Sequence, residues 1–128
     1  MAETEPHSEA ALLSDLACDP DDIEVSRVLA VIEAHYAHTP TRFRIGEGDL
    51  AVDNPSDKNQ VACRILAFAR LHNLDVASTL ACFGHYYRDE VIADPQGTRH
   101  ANIRAFMQHG WSGVHFHGDA LQPLPGKT

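Results

Sequence analysis

The chain of 128 residues has the length of one domain, and its 44% hydrophobic content is typical of a globular protein rather than a disordered or fibrous one. Its net charge of −8 arises at the start, because residues 1–26 hold eight of the 18 acidic residues and no lysine or arginine. This segment repels phosphate backbones and no basic stripe follows it, so the sequence predicts no nucleic-acid binding. The chain has no long apolar run, and the segment does not resemble a secretory signal, so we expect a cytoplasmic protein with no membrane association.

The three cysteines follow no metal-binding spacing, and their odd number excludes complete internal pairing. Cys63 and Cys82 lie inside apolar helical patterns. We therefore predict that both are small buried hydrophobic residues rather than reactive thiols.

The first predicted elements are helical. Residues 9–17 are compatible with a short helix, but we assign residues 1–20 as an acidic, weakly ordered segment. The next helix is predicted to begin near Asp21 and Asp22 and to stop near His38, because the following Thr39-Pro40 disfavours helix. Its apolar stripe consists of Val25, Val28, Leu29, Ile32 and Tyr36.

Alternating apolar and polar residues predict three strands. Residues 42–45 and 50–53 flank a Gly-Glu-Gly-Asp turn and form a predicted hairpin. Val114 and Phe116 alternate with His115 and His117 in a third strand, which we expect to pair with the hairpin.

Three further helices are predicted between these strands. Residues 59–72 show a broad apolar face that implies deep burial. A helix from the N-cap Asp75 to Asp89 contains Gly84, which indicates a kink or a close approach of another segment. After a turn at residues 94–97, the last helix is predicted to have Thr98 as its N-cap, to end at Gly110 and to bury Ile103, Phe106 and Met107.

These elements predict an α+β fold, with three to four helices packed on one face of a small, mostly antiparallel sheet of about three strands. We assign residues 21–122 to this single domain and residues 123–128 to a frayed C-terminus.

Four sequence motifs carry a family resemblance. They are TPT-x-F from Thr39, ACFG-x-YYR-x-x-V from Ala81, P-x-G-T-x-H-x-NIR-x-F from Pro95 and GW-x-G from Gly110. In these motifs the chain resembles the HopJ family, which is named for a type III secretion effector of plant-pathogenic bacteria. The resemblance covers roughly residues 25–121 and implies a HopJ-like bacterial protein. The chain departs from the family pattern at Val61-Ala62, where relatives often have Gly-Ser.

Polar residues flank the predicted turn between the last two helices. Arginine, tyrosine and histidine side chains can together hold a phosphate or a carboxylate by charge-assisted hydrogen bonds. The alternative is a structural network in which these groups satisfy helix ends or pair with nearby acids. The predicted ligand-binding residues are Tyr86, Arg88, His100, Asn102 and Arg104.

Nine histidines also raise the hypothesis of a metal site. His115 and His117 lie on the same side of their predicted strand and could share one ion. A zinc site needs further ligands, for which His85, His100 and His109 are the candidates; the alternative is that the strand histidines face solvent.

The sequence contains no recognisable catalytic motif and predicts no cofactor, so we expect no enzymatic activity. Two functions remain. The first is that of a HopJ-like type III effector, or another non-enzymatic interaction protein, that binds a protein partner. The second is that of a housekeeping bacterial protein with a small-ligand, anion or metal pocket formed by the helical hairpin. A cavity where three of the predicted polar residues meet would favour the second function, and a flat surface would favour the first.

Overall fold

The structure, a computed structural model, describes residues 8–48 and 51–124. Within these residues the chain forms six α-helices and two small antiparallel sheets, so the predicted α+β fold is confirmed. Short 3-10 turns occupy Pro20–Asp22 and Trp111–Gly113. The helices are α1 (Glu9–Cys18), α2 (Val25–His35), α3 (Gln60–Leu71), α4 (Val76–Ala81), α5 (His85–Arg88) and α6 (Ala101–His109). The strands are β1 (Tyr36–His38), β2 (Phe43–Ile45), β3 (Val52–Asn54), β4 (Val114–Phe116) and β5 (Leu121–Pro123).

Helix α1 lies in the segment that we predicted to be weakly ordered. Ser8 caps it, since the side chain accepts a hydrogen bond from the Ala11 N–H at 3.1 Å. Leu12 and Leu16, one turn apart, are buried in the core. Residues 9–18 therefore pack with the domain that we predicted to begin at residue 21, and residues 1–7 lie outside the described residues.

Helix α2 is shorter than predicted. It starts at Val25 and ends at His35, and the next three residues form β1. This strand pairs antiparallel with β5, with Tyr36 opposite Pro123 and His38 opposite Leu121. The helical prediction for residues 36–38 was wrong because pairing with a distant strand, which the sequence pattern does not show, decides their conformation.

The predicted three-stranded sheet is confirmed in the order β3-β2-β4. Phe43 lies opposite Asn54 on one side and Phe116 on the other, and all three are on the inner face. The outer face carries Arg44 with its cross-strand neighbours Asp53 and His115. Two residues of the predicted hairpin turn, 49 and 50, lie outside the described residues.

Helix α3 contributes more buried side chains to the core than any other element, so its predicted deep burial is confirmed except at Val61 and Leu71, which are exposed. Cys63 and Cys82 are buried as predicted. Burial raises the pKa of Cys63 to about 11 and that of Cys82 to about 12, so both thiols keep their protons near neutral pH. The largest fully buried side chains include Phe43, Phe68, Phe106, Leu12, Ile23 and Ile32.

Gly84 divides the predicted helix 75–89 into α4 and α5. Its backbone has φ +58° and ψ −132°, a conformation open chiefly to glycine. A Cβ atom at this position would lie only 2.6 Å from the backbone nitrogen of Val25. The predicted close approach at Gly84 is thus confirmed, and it brings the start of α2 against the α4–α5 junction.

Helix α6 begins later than predicted. His100, with φ +59°, is its N-cap, so the assignment of Thr98 to this position was wrong. The predicted burial of Met107 was also wrong, because its side chain is 44% exposed. Gly110 ends the helix as predicted.

Candidate functional site

A cavity of about 260 Å³ lies between α5 and the first turns of α3 and α6. Three of its polar side chains, Tyr86, His100 and Asn102, belong to the predicted ligand-binding set. None of the described residues that line it is acidic. The lining residues are Val52, Asn59, Val61, Ala62, Phe83, Tyr86, His100, Ala101, Asn102 and Ile103.

Three asparagines join the elements around this cavity. Asn54 on β3, which is fully buried, donates to Asn102 Oδ1 at 2.8 Å, and Asn102 donates back to Asn54 Oδ1 at 3.0 Å. Asn59 donates to the same Asn54 oxygen at 2.7 Å. Because each bond satisfies a buried amide group, the network fixes the start of α3 beside the start of α6.

Both helix starts have an uncommon backbone conformation. The N-caps Asn59 and His100 have φ +56° and φ +59°, in the left-handed region, and neither gives its helix a side-chain cap. The first N–H groups of a helix have no partner within the helix and carry the positive end of its dipole. Both starts therefore offer hydrogen-bond donors at the cavity.

An aromatic stack forms the wall on the α5 side. The Tyr86 ring centroid lies 4.9 Å from that of His100 and 4.5 Å from that of His85. The stack holds the Tyr86 ring, while its hydroxyl makes no hydrogen bond to any residue that the structure describes. Tyr86 thus has a free hydroxyl to offer a ligand.

Behind this wall, Glu90 lies among three basic side chains. Its carboxylate is 2.8 Å from His100 Nε2, 3.7 Å from His85 Nε2 and 3.9 Å from Arg99 Nη1. The hydrogen bond from His100 lowers the pKa of Glu90 despite an opposing effect of burial, and the charges of all three neighbours add to the lowering. Glu90 is therefore ionised at neutral pH and holds His100 in place.

Arg88 and Arg104, the other two predicted ligand-binding residues, lie elsewhere. Arg88 donates through Nη2 to the Ile23 carbonyl at 2.9 Å. Arg104 donates to the carbonyls of Arg99 at 2.6 Å and Asp94 at 2.9 Å. Both arginines therefore bind backbone oxygens, in contrast to the carboxylate pairing that we considered as their alternative role.

Sequence reasoning missed Asn54 and Asn59. Both lie in the polar stretch 53–59, which reads as an ordinary loop. An asparagine at each end of such a loop, one in a strand and one before a helix, is the only signal that could have indicated them. Their link to Asn102 depends on a contact 48 residues apart along the chain, which no local pattern reveals.

His115 and His117, the pair proposed to share a metal ion, do not line this cavity, whereas His100, a candidate third ligand, does. His115 Nε2 lies 2.7 Å from Glu47 Oε2, and the backbone N–H of His117 donates to the Arg42 carbonyl. In residues 8–48 and 51–124, no group of three or more histidine, cysteine or acidic side chains is arranged to hold a metal ion. The metal hypothesis thus gains no third ligand from this part of the chain.

No helix among the described residues has the length and apolar character that crossing a membrane requires.

Comparison with known proteins places the chain in a family. The model of the HopJ type III effector protein family matches residues 9–121, which make up most of the chain. The chain therefore belongs to the HopJ family, and the resemblance seen in its motifs is confirmed.

A solved structure shares the fold of this chain. The crystal structure of VPA0580, a protein of unknown function, matches this chain with 37% sequence identity and a TM-score of 0.88. The match covers 97% of this chain and 100% of the VPA0580 chain. No functionally curated protein is significantly similar to the chain in sequence.

Proposed function

We propose that this HopJ-family protein is a non-enzymatic binding protein whose cavity takes a small molecule with an apolar body and one anionic group, a carboxylate or a phosphate. One observation carries the proposal, namely that Tyr86, His100 and Asn102 meet at one concave site. This convergence is the feature that favours a ligand pocket over a flat interaction surface.

The chemistry of the lining favours an anion. Its polar part consists of the free Tyr86 hydroxyl, the His100 ring and the uncapped first turns of α3 and α6, and no described lining residue is acidic. Helix starts attract negative charge, because their N–H groups are unpaired and the dipole is positive there. An anionic group is the ligand end that all these groups bind together.

The remainder of the lining favours an apolar ligand body. Phe83 and Ile103 are buried at the cavity, and Val52, Val61 and Ala62 add apolar surface. The volume of about 260 Å³ is below the range of about 300–1,000 Å³ that drug-sized ligands occupy. A short-chain carboxylate fits this size and polarity.

An NMR titration of isotope-labelled protein tests the proposal, with butyrate as the probe and its neutral amide, butyramide, as the comparison. We expect butyrate to shift the amide signals of Val61, Ala62, Ala101 and Asn102 saturably, and butyramide to shift them much less. Equal responses to both compounds, or none at these positions, would contradict the proposal.

Two tyrosines of α5 provide a matched pair of variants. Tyr86→Phe keeps the aromatic stack and removes the hydroxyl, so we expect several-fold weaker butyrate binding, equivalent to about 1 kcal/mol for one hydrogen bond. Tyr87→Phe removes a hydroxyl that lines a different hollow on the other side of α5. The Tyr87→Phe variant should therefore bind butyrate as tightly as the unmodified protein does.

Membership of the HopJ family favours a second function, that of a type III effector made in the bacterial cytoplasm, secreted into a host cell and bound there to a protein partner. A reporter fused to the full chain tests this role. Transfer of the reporter into host cells that depends on an intact type III secretion apparatus would support it, and equal transfer without the apparatus would contradict it.

A further inference from the structure

His100 presents a proton-dependent contact at the cavity. Its Nε2 atom is 2.8 Å from Glu90 Oε1, so one ring nitrogen is already engaged. The other ring nitrogen, Nδ1, makes no hydrogen bond to the described residues. It is the atom of this ring that remains for a ligand.

The protonation state of the ring decides what Nδ1 can do. The ionised carboxylate of Glu90 can only accept a hydrogen bond, so Nε2 carries the proton in the neutral ring and Nδ1 has a lone pair. A lone pair repels an anion. When the ring gains a second proton, Nδ1 becomes a donor and the ring gains a positive charge, both of which favour an anion.

We propose that anion binding in the cavity is coupled to proton uptake by His100, so that affinity rises as the pH falls from about 8 to about 6, the range in which imidazoles change charge. This inference rests on the proposed function, since it concerns the same cavity and the same anionic ligand. The coupling follows from linkage, because a ligand that prefers the protonated ring must also promote its protonation.

The groups around His100 support this assignment. Tyr86 of α5 packs against its ring, and Glu90, from the segment before α6, is hydrogen-bonded to it. His85 and Arg99 lie near the same Glu90 carboxylate. The lining residues from β3 and α3 are Val52, Asn59, Val61 and Ala62, which carry no charge, so His100 is the one imidazole among the described lining residues.

Affinity for butyrate measured at about pH 8 and about pH 6 tests the coupling. Butyrate keeps a single negative charge over this range, since carboxylic acids ionise near pH 4–5, so any change belongs to the protein. Uptake of one proton on binding changes the affinity by up to tenfold per pH unit, so we expect butyrate to bind at least about tenfold more tightly at the lower pH. The affinity is read from the amide shifts of Ala101 and Asn102.

Two histidine variants separate the coupling from general effects of pH. In His100→Asn the new side chain tolerates the left-handed backbone and the imidazole ring is absent, so butyrate affinity should no longer vary with pH. His115→Asn also removes an imidazole beside a carboxylate, that of Glu47, but His115 does not line the cavity, so this variant should preserve the tenfold change. If His100→Asn fails to fold, Glu90→Gln replaces it, and the loss of the negative charge beside the ring should then reduce the change with pH.

The outcomes are distinct. A tenfold change in the unmodified protein and in His115→Asn, abolished in His100→Asn, supports proton-coupled binding. If butyrate binds with equal affinity at both pH values, the coupling is overturned and the proposed function stands. If butyrate leaves the cavity amides unchanged at every pH, both are overturned.

Discussion

At the scale of single residues, the reciprocal amide pair of Asn54 and Asn102 is the feature on which the cavity depends. Both side chains are buried, and each amide group donates to the other. Removing one partner leaves the other amide unsatisfied in the protein interior, and such a loss costs about 1–3 kcal/mol.

We therefore expect Asn54→Leu, a change of similar volume, to lower the free energy of unfolding by about 1–3 kcal/mol in urea titrations. The double variant Asn54→Leu/Asn102→Leu should lose less than the sum of the two single variants, because it leaves no unpaired amide across the contact. Additive losses would show that the pair is not coupled.

Sequence reasoning reached part of this residue-level picture. The motifs around the α5–α6 connection indicated Tyr86, His100 and Asn102, and the structure brings these three together. They also indicated Arg88 and Arg104, which bind backbone carbonyls away from the cavity. A local pattern shows that polar residues are near each other along the chain, but the direction of each side chain depends on tertiary packing.

At the scale of elements, Gly84 sets the path of the chain between α4 and α5. Its backbone angles suit glycine, and the nearest neighbour of an added Cβ is a backbone atom, the Val25 nitrogen at 2.6 Å. Backbone cannot give way as a flexible side chain can. Any side chain at this position would therefore separate α2 from the junction.

Gly84→Ala is accordingly expected to lower the free energy of unfolding by more than about 2 kcal/mol, since a clash is added to the cost of a positive φ. Gly48→Ala is the matched control. Gly48 also has a positive φ, +66°, but an added Cβ there meets no described atom within 4 Å. Gly48→Ala should lower the free energy of unfolding by about 1 kcal/mol. Equal decreases for the two variants would contradict the close approach at Gly84.

Helix α1 is held to the body by a polar cluster as well as by Leu12 and Leu16. The carboxylate of Glu9 accepts hydrogen bonds from the Tyr36 hydroxyl on β1 and from His72 Nε2, just after α3. Burial opposes ionisation of Glu9, but the two hydrogen bonds and the charges of His72 and His35 together outweigh it and lower its pKa. Burial and the neighbouring carboxylate raise the pKa of Tyr36, so its hydroxyl remains a donor.

The sign of the resulting pH effect follows from this lowered pKa. The cluster stabilises the fold above the ordinary pKa of a glutamate, and the stabilisation is lost as the pH falls through the lower folded value. Glu9→Gln should therefore destabilise the protein at neutral pH and flatten the decline in stability between about pH 5 and pH 3. Urea titrations across this range measure the effect. An unchanged decline, matching that of the exposed α2 variant Glu33→Gln, would contradict it.

Element boundaries show where sequence patterns stop being informative. The hairpin and its third strand follow from alternation, and the third strand pairs with the hairpin as predicted. The β1–β5 pair was missed because residues 36–38 continue the apolar pattern of α2, while their partner lies more than 80 residues along the chain. The pairing that turns a helical pattern into a strand is tertiary, and a single sequence does not display it.

At the scale of the whole molecule, the fold brings two helix starts together at a cavity beside an aromatic stack. The match over residues 9–121 establishes membership of the HopJ family, and VPA0580 shares the fold, while the function proposed here comes from the cavity itself. A fold supports many functions, so the site has to be tested directly.

The most direct test is a crystal structure of the full chain grown with saturating butyrate. We predict that the butyrate carboxylate lies within hydrogen-bonding distance of the Tyr86 hydroxyl and of first-turn N–H groups of α3 or α6, with its alkyl chain against Phe83 and Ile103. A cavity that holds only water under these conditions, or butyrate bound with its carboxylate away from both helix starts, would contradict the account.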